Sequence, residues 1–366
     1  NLNINAGAIY NQLPAGVTAI SPIMQAVNNL NLNSTLGNIT NAGTMAAITG
    51  NVNLASINNL LVNNVNGTMS AINGDINVRD AAFSAAKNLE ILGGDFVSKE
   101  LNIHNTGGNI NINVAGITGI LNADGHDFRV FSQDTLNLGV LNLTGDPGFY
   151  ATYGDINLTA PLAATGGMPL AIVASGNVNA APGVTLNTSG ATGGNILVSA
   201  GGLVDQTGAA SAQNVDYDSF RKMGGSINFA NVASINSSGT AGNGGNITLV
   251  TLGGEVNAGT ITVGGPITAN AVGGTPGSIT IYSDAKPQNV NGSTSIVLGG
   301  SLSAVGTIDG AGLRGGIRVA TAHPVFNTAG DPANPIFSIA GDELQFGPGQ
   351  SEPWQVIGRG GVREMN

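Results

Sequence analysis

The chain is predicted to be all-β and to fold as a right-handed parallel β-helix, a β-solenoid with about 20 residues per coil. Three observations predict this. The first is a recurring phrase: Gly, then Asn, Asp or Ser, then Ile or Val, then Asn or Thr, then usually an aliphatic residue. It reads Gly50-Asn51-Val52-Asn53-Leu54, Gly74-Asp75-Ile76-Asn77-Val78 and Gly108-Asn109-Ile110-Asn111-Ile112. It returns at Gly154, Gly176, Gly194, Gly225, Gly245 and Gly277. Three neighbouring intervals are about 22, 18 and 20 residues, and most others are about 31 to 39, read as one missed copy. The second is alternation: apolar side chains fall on every other position after each turn, so each strand buries one face. The third is composition. Glycine supplies 57 of 366 residues and asparagine 46, while only 9% are charged, against about 25% in a typical soluble domain. With 42% apolar residues, that mixture favours packed strands joined by tight corners over a solvated coil. Asn and Gly are expected to supply the positive-φ positions that sharp corners need.

Taken in order, residues 1–36 form an Asn-rich segment. Asn1-Leu2-Asn3-Ile4-Asn5 alternates and reads as a strand, one able to pair with another subunit. Ser21 as N-cap and Pro22 in the first turn predict a short helix over 21–27. The solenoid proper is expected over 37–325, with strands at Gly37–Thr40, Asn51–Leu54, Leu101–His104, Phe128–Ser132, Leu170–Ala174, Thr260–Val263 and Ser295–Leu298. Residues 81–92 are either a second helix or a coil whose corners use Ala. Gln206 to Met223 reads as a loop inserted near 206–223, rich in charge and aromatics. After residue 325 Pro becomes frequent, the single Trp354 appears and charges return, which predicts a cap or assembly segment over 326–366. At this coil length the chain holds about 17 coils, each strand pairing in parallel with its equivalent about 4.8 Å away. Inward aliphatics stack into ladders, and outward Asn side chains hydrogen-bond from coil to coil.

Phrases such as Gly176-Asn177-Val178-Asn179, Gly194 to Gly202 and Leu136-Asn137-Leu138 resemble the filamentous-haemagglutinin-type bacterial surface proteins. The resemblance covers about residues 37 to 320. It implies a right-handed parallel β-helix that works as an adhesin or extracellular fibre, with no catalytic residues to carry over.

The charge balance narrows function. Eleven basic residues leave no Lys/Arg stripe, so nucleic acid is not an expected partner. The longest apolar run is too short to span a membrane. The absence of cysteine excludes disulfides and thiolate metal sites. A start at Asn1 with no leader fits a processed, exported chain. Because β-helices also serve polysaccharide lyases and hydrolases, Asp124-Gly125-His126-Asp127-Phe128-Arg129 is the best candidate for an acid/base cluster. An Asp-Gly pair is a favoured turn, and no catalytic residue is assigned. Asp124, Asp127, Asp216 and Asp218 are weak calcium candidates, and His104, His126 and His323 are too far apart in sequence to imply zinc. No cofactor is expected. The leading expectation is a secreted, non-enzymatic structural subunit that self-associates head to tail into an extracellular or cell-surface homopolymer, with Leu2, Ile4 and Trp354 as assembly contacts. A monomeric adhesin stalk binding glycans through the 206–223 loop is the alternative, and a β-helix polysaccharide lyase or hydrolase the second.

Overall fold

A computed structural model describes residues 1–14, 16–17, 21–80, 87–201, 224–254, 256–257, 259–284, 296–308 and 311–321, with short strands at 339–340, 343–346 and 361–364. The chain divides into two compact units, Asn1–Gly145 and Asp146–Asn366. Each is a parallel β-helix with three strand positions per coil.

In the first unit, β1 (Leu2–Asn11) runs across two faces and β2 (Ile23–Ala26) makes the third. The next coil repeats this with β3 (Leu30–Asn41) and β4 (Thr44–Ala47). Later coils use three separate strands: β5 (Val52–Ser56), β6 (Leu60–Asn63) and β7 (Thr68–Ala71), then β8 (Ile76–Asp80), β9 (Leu89–Leu92) and β10 (Asp95–Ser98). They continue with β11 (Glu100–His104), β12 (Ile110–Val114) and β13 (Gly116–Ile117), then β14 (Ile120–Gly125) and β15 (Phe128–Ser132); β16 (Leu136–Leu143) stacks on β14 and opens the next coil on the first face. Each strand pairs with its equivalent one coil away, in parallel, so identical positions stack. On the first face Leu2, Leu30, Val52, Ile76, Leu101, Leu121 and Leu138 form one inward ladder. On the third face Met24, Met45, Met69, Phe96 and Ile117 form another. Most of these side chains are fully buried, each contributing about 1.5–3 kcal/mol relative to exposure.

The second unit repeats the plan. One face stacks Leu170–Ala174, Ile196–Ala200, Ile247–Leu252, Ile279–Asp284 and Ile317–Thr321. The next stacks Ile156–Leu158, Val178–Ala180, Ile227–Phe229, Ile261–Val263 and Ile296–Leu298. The third stacks Leu162–Ala164, Thr185–Asn187, Ser234–Asn236, Ile267–Thr268 and Leu302–Ser303.

Several expectations change. The segment 21–27 is not helical. Its Ile23–Ala26 pairs with Thr44–Ala47, because completing the third face and its methionine ladder outweighs a local capping signal. Leu89–Leu92 is likewise a strand, packed between β6 and β12, while 81–86 lie outside the described residues. Coil length is not uniform. Stacked partners in the first unit are 28, 22, 24, 25 and 20 residues apart. In the second unit the separations along one face are 22, 49 and 34. Fewer, longer coils therefore replace the 17 expected. The step from Gly176 to Gly194 is not a coil at all, since their strands lie on different faces; the same holds for Gly225 and Gly245. Within the second unit the paired strands keep an unshifted register despite these differences in coil length.

Candidate assembly surface

The recurring phrase explains the surface. Its second residue offers a side-chain oxygen to the backbone N–H of the equivalent residue one coil later. Asn29 Oδ1 accepts from Asn51 N at 2.9 Å and Asn51 Oδ1 from Asp75 N at 2.9 Å. In the second unit Asp155, Asn177, Asn195 and Asn246 do the same. Its fourth residue builds an amide ladder. Asn31 Nδ2 donates to Asn3 Oδ1, Asn53 to Asn31, Asn77 to Asn53, Asn102 to Asn77 and Asn122 to Asn102, at 2.5–3.2 Å. The ladder stops where β16 bulges and Val140 N donates to Asn122 Oδ1 at 2.8 Å.

The phrase glycines serve a different need from the one expected. None has a positive φ. A Cβ on Gly176, Gly225, Gly245 or Gly277 would instead collide with the backbone or side chain of the neighbouring coil. Close stacking, not turn geometry, requires them.

A second, buried ladder lies at a corner of the first unit. Asn11 Nδ2 donates to Asn41 Oδ1 at 2.8 Å, and Asn41 Nδ2 to Asn64 Oδ1 at 2.7 Å. These amides also serve corner backbone groups, Asn11 donating to Thr44 O and Asn41 to Thr68 O. In the second unit buried hydroxyls take this place: Thr188 and Ser237 donate to the carbonyls of Gly194 and Gly245 at 2.6 Å.

The predicted contacts Leu2 and Ile4 lie on β1, which pairs with β3 and has no other strand partner among the described residues. Both are half-buried, whereas Leu30, Leu32, Val52 and Leu54 above them are buried. Asn1, Asn3 and Asn5 point outward and are exposed. Leu2 N donates to Asn29 O of the next coil at 2.9 Å. By strand alternation, the N–H groups of Asn3 and Asn5 face the outer edge.

Asp124 and Asp127, the acid/base and calcium candidates, have separate partners. Asp124 lies in β14 opposite His104 of β11. Its Oδ1 is 2.6 Å from His104 Nδ1, and its Oδ2 accepts from Thr106 Oγ1 at 2.8 Å. Asp127 Oδ1 is 3.1 Å from His126 Nδ1. The Arg129 guanidinium sits 5.4 Å from the Phe131 ring centroid, a cation–π contact. Among the described residues no three His, Cys, Asp or Glu side chains come together to hold a metal. Trp354, His323, Asp216, Asp218 and the 206–223 loop lie outside the described residues.

Sequence reasoning missed one feature of this surface. Residues 1–74 contain no Asp, Glu, Lys, Arg or His; the first charge is Asp75. A running count of charge along the chain would have exposed it. No helix among the described residues is long and apolar enough to cross a membrane. Comparisons with protein-family models, with curated proteins and with solved structures return no match.

Proposed function

We propose that this chain is a secreted structural subunit, a β-solenoid that stacks head to tail into an extracellular bacterial fibre or surface layer. The observation that carries this reading is the outer edge of β1. It presents a strand pattern repeated coil after coil, uncharged and with Leu2 and Ile4 half-buried. A further strand there would complete their burial, worth about 1 kcal/mol each, and would pair the outward N–H groups of Asn3 and Asn5. A contact between unlike ends is heterologous and propagates as a filament. The resemblance of the repeats to bacterial surface β-helices supports the extracellular setting.

The test is Asn5→Pro. Proline removes an N–H that faces the outer edge while leaving the backbone bonds from β1 to β3 in place; the one bond lost to β3 is the exposed side-chain bond from Asn33 Nδ2 to Asn5 Oδ1. The variant keeps its far-ultraviolet circular dichroism spectrum but forms no filaments in negative-stain micrographs. Filaments of wild-type length from this variant would refute assembly through β1.

A further inference from the structure

Val27, Ile48 and Ile72 occupy one corner of the first unit in three successive coils. Each directly follows a third-face strand, beyond the paired positions Ala26 and Ala47 and Ala46 and Ser70. Ile48 N donates to Ala26 O at 3.0 Å, Thr49 N to Val27 O at 2.9 Å and Asn73 Nδ2 to Ile48 O at 3.0 Å. The three side chains therefore stack at the strand spacing of about 4.8 Å. They are 66%, 45% and 64% exposed, and form an aliphatic ridge on the outside of the coil. The next coil ends the ridge by placing Lys99 directly after Ser98, the partner of Ala71.

Two further observations bear on what covers it. All 11 Lys and Arg and all 21 Asp and Glu lie at or beyond Asp75, so the net charge of −10 belongs entirely to the rest of the chain. Of the sixteen large hydrophobic side chains exposed among the described residues, nine fall within residues 1–74. The apolar excess and the absence of charge thus coincide in the first three coils.

We propose that the Val27–Ile48–Ile72 ridge is a self-association surface that packs laterally against the same ridge of a second copy of this chain. The charge distribution selects that occupant. Two copies meeting elsewhere bring net-negative surfaces together, whereas the first three coils meet without like-charge repulsion. A charged partner finds only Lys99, one rung beyond Ile72, to pair with there. The ridge spacing is the same on both copies, so branched side chains of one seat between those of the other. A self-complementary contact of this kind is isologous and closes as a two-fold pair. Three aliphatic side chains per copy fall well short of the roughly 800 Å² per partner of a stable complex. Isolated subunits therefore pair weakly, and filaments bundle more strongly because many ridges act together. This lateral contact is separate from the β1 edge and does not depend on it.

The test uses the Asn5→Pro chain, in which end-to-end growth is blocked, and compares it with the same chain carrying Ile48→Lys/Ile72→Lys by sedimentation velocity over a concentration series. The Asn5→Pro parent shows a concentration-dependent monomer–dimer equilibrium, and the lysine variant a dissociation constant raised at least tenfold. Ile48→Thr/Ile72→Thr, which keeps β-branching, shows an intermediate loss and guards against a folding artefact of the lysines. Asn5→Pro retains the lateral pairing, so failure of the end contact and failure of the ridge read out separately. Sedimentation unchanged by either double variant would overturn the proposal. So would an Asn5→Pro parent that stays monomeric throughout while binding neutral phosphatidylcholine vesicles, which would assign the ridge to a lipid surface.

Discussion

The two asparagine ladders use the same bond in opposite environments, and Asn41→Ala separates them. Asn41 is fully buried and engages four partners. It donates to Asn64 Oδ1 and Thr68 O and accepts from Asn11 Nδ2 and Gly43 N, at 2.7–3.2 Å. Alanine keeps Asn11 partly satisfied through Thr44 O, and Thr68 O keeps its place in the ladder with β4, but Gly43 N and Asn64 Oδ1 are stranded. At about 1–3 kcal/mol for each buried group left unpaired, tempered by one water entering the vacated space, the loss is about 4 kcal/mol. Asn53 makes two ladder bonds, to Asn31 and from Asn77, but it is half-exposed and its partners regain water. Asn53→Ala should cost about 1 kcal/mol. The gap of about 3 kcal/mol corresponds to a difference of 1–3 M in urea midpoint, read by far-ultraviolet circular dichroism. Asn41→Asp adds a pH signature. Its carboxylate would face Asn64 Oδ1 and Thr68 O, so burial and these oxygens raise its folded pKa above the unfolded value of about 3.9. The penalty is absent in acid, where both states are protonated, and grows as pH rises above about 4. Equal midpoints for Asn41→Ala and Asn53→Ala would refute the distinction between the ladders.

Two other outcomes follow from the backbone. Gly245→Ala would drive a Cβ into the backbone of Gly194 one coil away and should cost about 3 kcal/mol or more. Gly107→Ala, at φ +78° with nothing within 4 Å, should cost only about 1–2 kcal/mol, both compared by thermal melting. The Asn-Gly pairs at Asn66, Asn73 and Asn243 hold the glycine N–H in bonds to Asn64 O, Ala71 O and Thr275 O at 2.8–2.9 Å. That nitrogen must attack the asparagine side-chain carbonyl carbon, expelling ammonia, for deamidation to begin. Peptide mass spectrometry after mildly alkaline incubation should find these amides intact in the folded chain and converted in urea; equal rates would contradict the protection.

The fold was legible because the alternation of Leu2, Ile4, Leu30 and Leu32 with asparagine has one good solution, a strand buried on one face. The stacking of asparagine was legible for the same reason. Which face a strand occupies was not. Gly176 and Gly194 open the same phrase on different faces, since every face of a β-helix has the same burial and selects the same residues. Coil length was therefore misjudged. The strand at Ile23–Ala26 was hidden because its partner Thr44–Ala47 lies a full coil away, while Ser21 and Pro22 signal only locally. The ridge was hidden because Val27, Ile48 and Ile72 become neighbours only once the coil lengths are known.

The ladders also carry a direction. Each outer amide donates from a later coil to an earlier one, an orientation fixed where Val140 N meets Asn122 Oδ1. The buried amides donate from earlier to later, fixed where Gly43 N meets Asn41 Oδ1 and Asn41 Nδ2 meets Thr68 O. Within each column the bonds polarise one another in sequence. Because the columns run in opposite senses, their dipoles oppose one another, unlike the aligned peptides of an α-helix. Over the first three coils, where both columns run, the charge separation of one is thus offset by the other.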